Sequence, residues 1–347
     1  MPAGPDDPIV PDEAATLLAP LIGRDAGCAG VLLAVSGGPD SVALLHLAAL
    51  WRERGGAPPL FAATVDHGLR PESAGEAERV AEWCAERRVP HAVLRWTGRK
   101  PATRIHAAAR EARYALLAQQ AERVGATHIV TAHHRDDLSE TVLMRLTRGS
   151  GVRGLAAMRK SRPLGGLFLV RPFLDVSKSR LLATLTQAGQ DWLRDPSNAD
   201  PRFGRTRTRR LAAMLAEEGL DAARLAALAR RAARADAALD EAARAAHARH
   251  LSQEADRRVF GPGLLGEPDE IMLRVLQLEL ERHGPVRLER LESLAADLSA
   301  AARRGHRLTR SLAGAVTALD GLGQVTISAE KERRRGRRAL TKADGSS

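Results

Sequence analysis

Aromatic residues are scarce. Five Phe, four Trp and one Tyr make up 3% of 347 residues, so Ala, Leu and Val must build most of any core. Cysteine is scarcer still. Cys28 and Cys84 stand far apart, which excludes a disulfide scaffold and a CxxC zinc or redox site and suits a reducing cytoplasm. No apolar run reaches the ~18 residues of a membrane span, so no membrane partner is expected. The N-terminal stretch MPAGPDDPIV has no basic region ahead of an apolar one, so no secretory signal is expected. Hydrophobic residues reach 44%, which excludes global disorder.

What the chain has in excess is positive charge. Lys and Arg number 53 against 42 Asp and Glu, a net charge of +11. Residues 201–347 hold 28 basic and 20 acidic side chains, so eight of those charges lie there and only three before. A near-neutral first part followed by a basic second part points to a polyanionic partner held mainly by the second. An Arg/Ala-rich background composition is the plain alternative.

The length allows two or three domains. A lead-in helix (EAATLLAPLI) precedes an alternation of short apolar runs and helical stretches. The runs are VLLAV (31–35), LFAATV (60–65), HAVLRW (91–96) and THIVTA (127–132), with LFLVRPF (167–173) as a fifth candidate. Strands of four to six residues between helices of ten to twenty predict βαβ units and a parallel sheet covered on both faces. Beyond about residue 210 the chain turns Ala/Leu/Arg-rich with helical periodicity and no strand signal. Helical stretches continue from Val259 to Arg303, broken at GPG and HGP, and residues 311–330 read as a small β-hairpin. The expected organisation is a lead-in (1–28), an α/β domain (29–210), a helical connector (211–255), a small α+β domain (256–330) and a disordered basic tail (331–347).

Ser36–Ser41 (SGGPDS) lies between a buried strand and a helix N-terminus. Gly37 and Gly38 allow a tight turn and close approach to an anion. Pro39 suits the first helical position, and the helix beyond presents unpaired amides and the positive end of its dipole. Ser36 and Ser41 can donate to phosphate oxygens. Asp40 would repel a phosphate unless a Mg²⁺ ion neutralises both. An ordinary βα turn with capping serines is the plainer reading. Neither the Walker A pattern nor a GxGxxG after a strand occurs.

Four further stretches carry polar side chains, two at strand ends, one on the helix after the third strand and one after the next helix. In AHHRDDLSET, His133, Asp137 and Glu140 fall at i, i+4 and i+7, a spacing that puts them on one helical face. Ligands bind outside the carboxyl ends of strands in such sheets. Two carboxylates there can hold Mg²⁺ or an amino group, although capping by Asp136 or Asp137 accounts for one of them. Zinc is not favoured, because adjacent histidines rarely point at one ion and no cysteine is near. In AAREARY, Arg113 can pair with a carboxylate or phosphate, and Arg110 can equally be a solvated charge. In VDHGLR, Asp66 and His67 end the second strand. RGSGVRGLAAM (148–158) is the fourth.

SGGxDS after the first strand resembles the signature of the PP-loop ATP pyrophosphatases. The other four stretches, in this order and at these spacings, resemble the tRNA(Ile)-lysidine synthetases. RPFLDVSKSRL and the arginine run Arg202, Arg205, Arg207, Arg209, Arg210 extend the likeness over about residues 30–210. Thr206 and Thr208 depart from the family's RNRIR segment.

The resemblance implies a Rossmann-like, adenine nucleotide alpha-hydrolase-like parallel sheet and an ATP-dependent ligation of L-lysine to the wobble cytidine of a CAU-anticodon isoleucine tRNA. ATP would lie on Ser36–Ser41 with Asp66 and His67 framing the nucleotide. Mg²⁺ would sit on Asp40. Asp40, Arg113, Asp137 and Glu140 would carry the chemistry, and His133, Arg110, Arg205 and Arg207 the substrates. The C-terminal domain would hold the tRNA, and a homodimer fits the family. Within the superfamily a cytidine thiolase is the nearest rival, but it needs CxxC cysteines. An amidotransferase-linked synthetase would use the same loop without a basic C-terminal module. A nucleotide-binding RNA-binding protein without catalysis is the rival from another class.

Overall fold

The central runs VLLAV and THIVTA become neighbouring strands covered on both sides, whereas HAVLRW forms a half-exposed edge strand. The computed structural model describes residues 4, 6–68, 73–97, 100, 103, 105–194, 204–254 and 257–330. The strands are β1 (Val31–Ala34), β2 (Leu60–Asp66), β3 (His91–Arg95), β4 (His128–Val130), β5 (Ser161–Leu164) and β6 (Leu167–Val170). The helices between them are α1 (Pro11–Ile22), α2 (Pro39–Glu53), α3 (Ser73–Glu86), α4 (Ile105–Arg123), α5 (Arg135–Leu146), α6 (Val152–Leu155) and α7 (Lys178–Gln187).

Along β1 the side chains alternate between two cores. Val31 and Leu33 pack with α1, α2, α3 and α7 through Leu18, Leu44, Trp83 and Leu181. Leu32 and Ala34 pack on the other face with Leu117 and Ala121 of α4. A strand buried on both faces has no polar positions to spare, which is why VLLA reads as an unbroken run.

The sheet order is β3-β2-β1-β4-β6-β5. All neighbours are parallel except β5, which pairs antiparallel with β6. The chain moves outward from β1 through β2 to β3, then crosses to β4 on the other side of β1. That reversal makes the carboxyl ends of β1 and β4 the switch point, where open α/β sheets bind ligands. β5 was not expected. Its sequence SRPL contains Pro163, which only an edge strand tolerates, and Gly165–Gly166 is the two-residue turn that joins it to β6.

Two compact units divide the chain, 1–234 and 235–347. The division falls inside the long helix α9 (Ala222–His250), which follows α8 (Gly204–Glu217). In the first unit, Leu138, Val142 and Leu143 of α5 pack with Leu225, Ala226 and Ala229 of α9, and Ala212 and Leu215 of α8 lie against this cluster.

In the second unit, β7 (Leu251–Glu254), β8 (Arg257–Phe260), β9 (Leu308–Leu312), β10 (Ala315–Leu319) and β11 (Val325–Ala329) form an antiparallel sheet of order β7-β8-β11-β10-β9. Its core joins Phe260, Val325 and Ile327 to Val275 and Leu276 of α10 (Asp269–Leu280) and Leu291 and Leu298 of α11 (Leu288–Arg303). The expectation of helix around Val259 was wrong, and the hairpin at 311–330 is one part of this larger sheet. β7 (LSQE) and β8 (RRVF) are four residues each, too short for alternation to show. The tail 331–347 lies outside the described residues.

One buried cation holds α9 to α10 in the second unit. Arg274 donates to Asp236 at 2.8 Å, to Glu270 at 2.7 Å and to Asp240. Its side chain and that of Asp236 are 4% and 1% exposed. Replacing Arg274 with Gln leaves Asp236 buried without its counter-charge. We expect the second unit to lose about 3–5 kcal/mol, read as an earlier urea transition by far-UV circular dichroism.

Candidate active site

The turn after β1 is built from its own polar atoms. The Ser36 amide donates to Ser41 Oγ at 3.1 Å, and the Ser41 hydroxyl donates to the Gly38 carbonyl at 2.9 Å. Ser41 is buried and braces the loop, and the hydroxyl of the exposed Ser36 lies 3.2 Å from Ser41 Oγ. Gly38 caps α2 and Pro39 opens it. Gly37 has φ +84°, which favours glycine, and a Cβ there would meet Leu193 Cδ1 at 2.3 Å. The Leu193 amide donates to the Gly37 carbonyl at 2.9 Å. A residue far along the chain thus covers the turn.

β4 ends beside β1, and the chain enters α5 through a buried histidine. His134 Nε2 lies 3.6 Å from Asp40 Oδ2 and 3.4 Å from Asp137 Oδ2, and Nδ1 lies 3.4 Å from Asp136 Oδ2. Burial alone would lower its pKa, but hydrogen bonds to Asp136 and Asp40 and the charge of Asp137 outweigh that and raise it to about 9. His134 is therefore an imidazolium at neutral pH. Asp136 shows the converse. Burial opposes its ionisation, yet the bond from His134 and the Lys178 amide bring its pKa down to about 2.

The cap of α5 corrects the sequence expectation. His134 is the N-cap, not Asp136 or Asp137. The Asp137 carboxylate accepts from the His134 amide at 3.2 Å, and the Asp137 amide approaches Nδ1 at 3.4 Å. The charged ring donates from Nδ1 to Asp136, so the first of these two bonds carries the cap. The helix starts at Arg135, so only Asp137 and Glu140 lie on it, one turn apart. His133 precedes it, with Nδ1 2.8 Å from the Thr131 hydroxyl.

Lys178, the first residue of α7, closes the group. Its amide donates to Asp136 at 2.9 Å and its ammonium lies 3.9 Å from Asp40 Oδ2. Asp40, His134, Asp136 and Lys178 thus alternate in charge around a ring. A lysine at a helix N-terminus opposes the helix dipole, so its place there is better explained by the carboxylates it faces. Asp40 Oδ1 is buried and has no hydrogen-bond partner among the described residues. Glu140 accepts from Arg209 Nε of α8 at 2.6 Å.

The remaining predicted residues spread to either side. Asp66 closes its own turn by accepting the Gly68 amide at 2.8 Å, and that bond lowers its pKa. His67 is held neutral by burial and by the charge of Arg113, and its Nδ1 is buried without a partner among the described residues. Arg110 stands over the Tyr114 ring, 5.2 Å from its centroid. Arg207 is exposed on α8. The side chain of Arg205, together with Arg202 and the end of VDHGLR, lies outside the described residues.

A family model described as PP-loop domain matches residues 12–215. A tRNA(Ile)-lysidine synthase of Rhodopseudomonas palustris is 51% identical over 320 residues, spanning 88% of this chain and 92% of that one. A tRNA(Ile)-lysidine synthase of Methylobacterium sp. (strain 4-46) is 47% identical over 341 residues, spanning 96% and 98%. The chain belongs to the tRNA(Ile)-lysidine synthase family. The lysidine synthase of Ruegeria pomeroyi is 49% identical over 208 residues, which are 60% of this chain and 49% of that one. A solved U34-tRNA thiolase of Methanococcus maripaludis, with its [4Fe-4S] cluster, superposes with TM-score 0.54 at 16% identity, over 64% of this chain and 78% of that one. That likeness is one of fold.

In this lysidine synthase family chain the PP-loop domain is an ATP-binding one. Sequence reasoning passed over His134, Lys178, Arg209 and Leu193. A histidine three residues before an aspartate at a helix start is a capping signal for His134. Lys178 could have been sought as a base at the next strand's helix N-terminus. Nothing in the arginine run distinguishes Arg209, and nothing marks Leu193.

Gly37→Ala sets a Cβ against Leu193 in a left-handed turn. We expect ATP affinity, measured by calorimetry, to fall at least roughly tenfold while the rest of the fold remains. His134 contributes to stability through protonation, because its folded pKa of about 9 exceeds its ordinary 6.5. The contribution is full below pH 6.5 and is lost as pH rises through about 9. His134→Gln should therefore cost the ligand-free protein on the order of 2–3 kcal/mol near pH 6 and much less near pH 9.5, by urea unfolding.

Proposed function

We infer that this chain ligates L-lysine to C2 of the wobble cytidine of a CAU-anticodon isoleucine tRNA, at the expense of ATP. The observation that supports this best is the meeting of two elements at one sheet edge. The glycine turn and Asp40 follow β1, and Asp137 and Glu140 follow β4. One element suits phosphates and the other suits an amine.

ATP lies with its phosphates on the Ser36–Ser41 turn, against the N-terminus of α2. The orphaned Asp40 Oδ1 fits a Mg²⁺ ion that is carried on those phosphates. When bound, Mg²⁺ would neutralise phosphate charge. The cytidine C2 oxygen attacks the α-phosphorus, and the bond to pyrophosphate breaks. Lys178 sets an ammonium beside Asp40, where it meets the departing negative charge. His134 holds Asp40 and Asp137 at fixed separation through both steps.

The lysine ε-amine then attacks the activated C2, and AMP leaves. The amine must be neutral to attack, although its ordinary pKa is ~10.4. Asp137 takes the proton. Both carboxylates have partners, but Asp137 is 20% exposed and 3.4 Å from His134, whereas Glu140 is 9% exposed and held by Arg209 at 2.6 Å. Glu140 and Arg209 hold the incoming amino acid. His67 and Asp66 flank the nucleotide on the β2 side. The second unit holds the tRNA backbone together with arginines of residues 202–234, where nine basic side chains stand against three acidic ones, and salt weakens that hold.

Incorporation of labelled lysine into unfractionated tRNA, with ATP and Mg²⁺, checks the assignment. The wild-type chain should incorporate lysine and release AMP and pyrophosphate in equal amounts. Asp137→Asn should lose at least about a hundredfold in lysine transfer while still releasing pyrophosphate. ATP binding without any incorporation would overturn the assignment.

A further inference from the structure

Three arginines and the chain's one tyrosine meet on the outer side of the site, and the reaction above uses none of them. Arg171 follows β6. Its side chain is 3% exposed, donates from one terminal nitrogen to the Arg159 carbonyl at 3.0 Å, and hydrogen-bonds Tyr114 of α4. Its Nε is buried with no partner among the described residues. Arg110 and Arg162 stand 5.2 and 5.8 Å from the Tyr114 centroid. Among the described residues no acidic side chain pairs with any of the three. Two like charges, Arg110 and Arg162, stand against the buried Arg171 guanidinium, and no described carboxylate offsets them.

The position of the cluster says which anion fits. Arg171 leaves its strand beside Thr131, whose amide bonds to Val170 and whose hydroxyl bonds to His133. The cluster therefore shares the sheet edge of the phosphate turn, displaced from β1 by β4. At ordinary strand spacing β6 stands roughly 10 Å from β1. An anion held there is separate from the ATP phosphates on the turn, so it fits a phosphate of the other polyanionic substrate, the RNA. A tyrosine flanked by guanidinium planes also suits an unstacked base next to such a phosphate.

We propose that Arg110, Arg162, Arg171 and Tyr114 bind a backbone phosphate of the RNA substrate next to the nucleotide that enters the site. The proposal rests on the chain's being a tRNA-modifying enzyme. Arg171 supplies the fixed, desolvated contact. Arg110 and Arg162 close on the phosphate from the surface, and each replaces the repulsion it now meets with an ion pair.

The test uses the full chain and an anticodon-arm RNA hairpin. Fluorescence anisotropy follows binding from roughly 50 to 200 mM salt. Arg162→Gln lies near the surface on an edge strand and leaves the core intact. It should weaken RNA binding about three- to tenfold and flatten the plot of log affinity against log salt by about 0.7 to 0.9. ATP affinity should be unchanged. Arg171→Lys keeps the charge but loses the planar fork, and should weaken RNA binding without changing that slope. Wild-type affinity and slope in both variants would overturn the proposal. So would a parallel fall in ATP affinity, which would assign the cluster to ATP. Lysine incorporation by the wild-type chain separates the two readings. If it fails while Arg162→Gln still loses RNA affinity, the RNA site stands and the ligation does not. If it succeeds and Arg162→Gln binds RNA normally, the ligation stands and this site does not.

Discussion

The site is organised around one charge that the protein keeps away from water. The His134 side chain is 4% exposed and three carboxylates surround it. An isolated cation at that depth would lose its proton. Here Asp40, Asp136 and Asp137 raise its affinity for the proton above that of a free imidazole. The dependence runs both ways. Asp40 begins α2, Asp136 and Asp137 begin α5, and the Lys178 amide ties α7 to Asp136. Three helix N-termini from three strands are thus joined through one ring. Without the cation, three carboxylates would face each other across the place where a triphosphate must lie.

The parallel sheet was legible because double burial leaves no ambiguity. VLLAV, LFAATV and THIVTA are apolar on both faces, and the turns after them carry the glycines and acids of a binding edge. The turn was legible on other grounds, because two glycines between serines follow a buried strand and precede a helix, a pattern that resembles the PP-loop signature. What stayed hidden was whatever depends on residues far apart in sequence. Ser41 looked like a phosphate donor and braces the loop. His133 looked like the site histidine, while its neighbour His134 is the one enclosed by carboxylates. A pattern along one segment cannot say which of two adjacent side chains points inward once the helix has not yet begun. Part of the second sheet was hidden for a different reason. The alternation of β10 and β11 did show as a hairpin, but β7 and β8 are four residues each, too short for a period to stand out.

Charge is divided in the same way. The +11 excess lies mostly beyond residue 200, yet nine of those charges belong to the first unit, residues 1–234, and two to the second. In the first unit the acids concentrate where phosphate and amine must be handled, and several arginines there are committed to neighbours, as Arg180 is to Glu13 and Arg209 to Glu140. The second unit also neutralises part of its own charge internally, through Arg274 with Asp236 and Arg258 with Glu279. Net charge therefore overstates what either unit offers a partner. What counts is which guanidiniums have no carboxylate.

The contact between Gly37 and Leu193 has a consequence for the order in which the molecule is made. The turn is encoded near the start of the chain, but the residue that covers its left-handed glycine is made more than 150 positions later. On a ribosome, the first strands and helices can collapse onto one another as they emerge. The ATP turn among them stays uncovered until residue 193 arrives. A nascent chain is thereby kept from a finished nucleotide site until the β4 and β6 elements that complete the pocket are present.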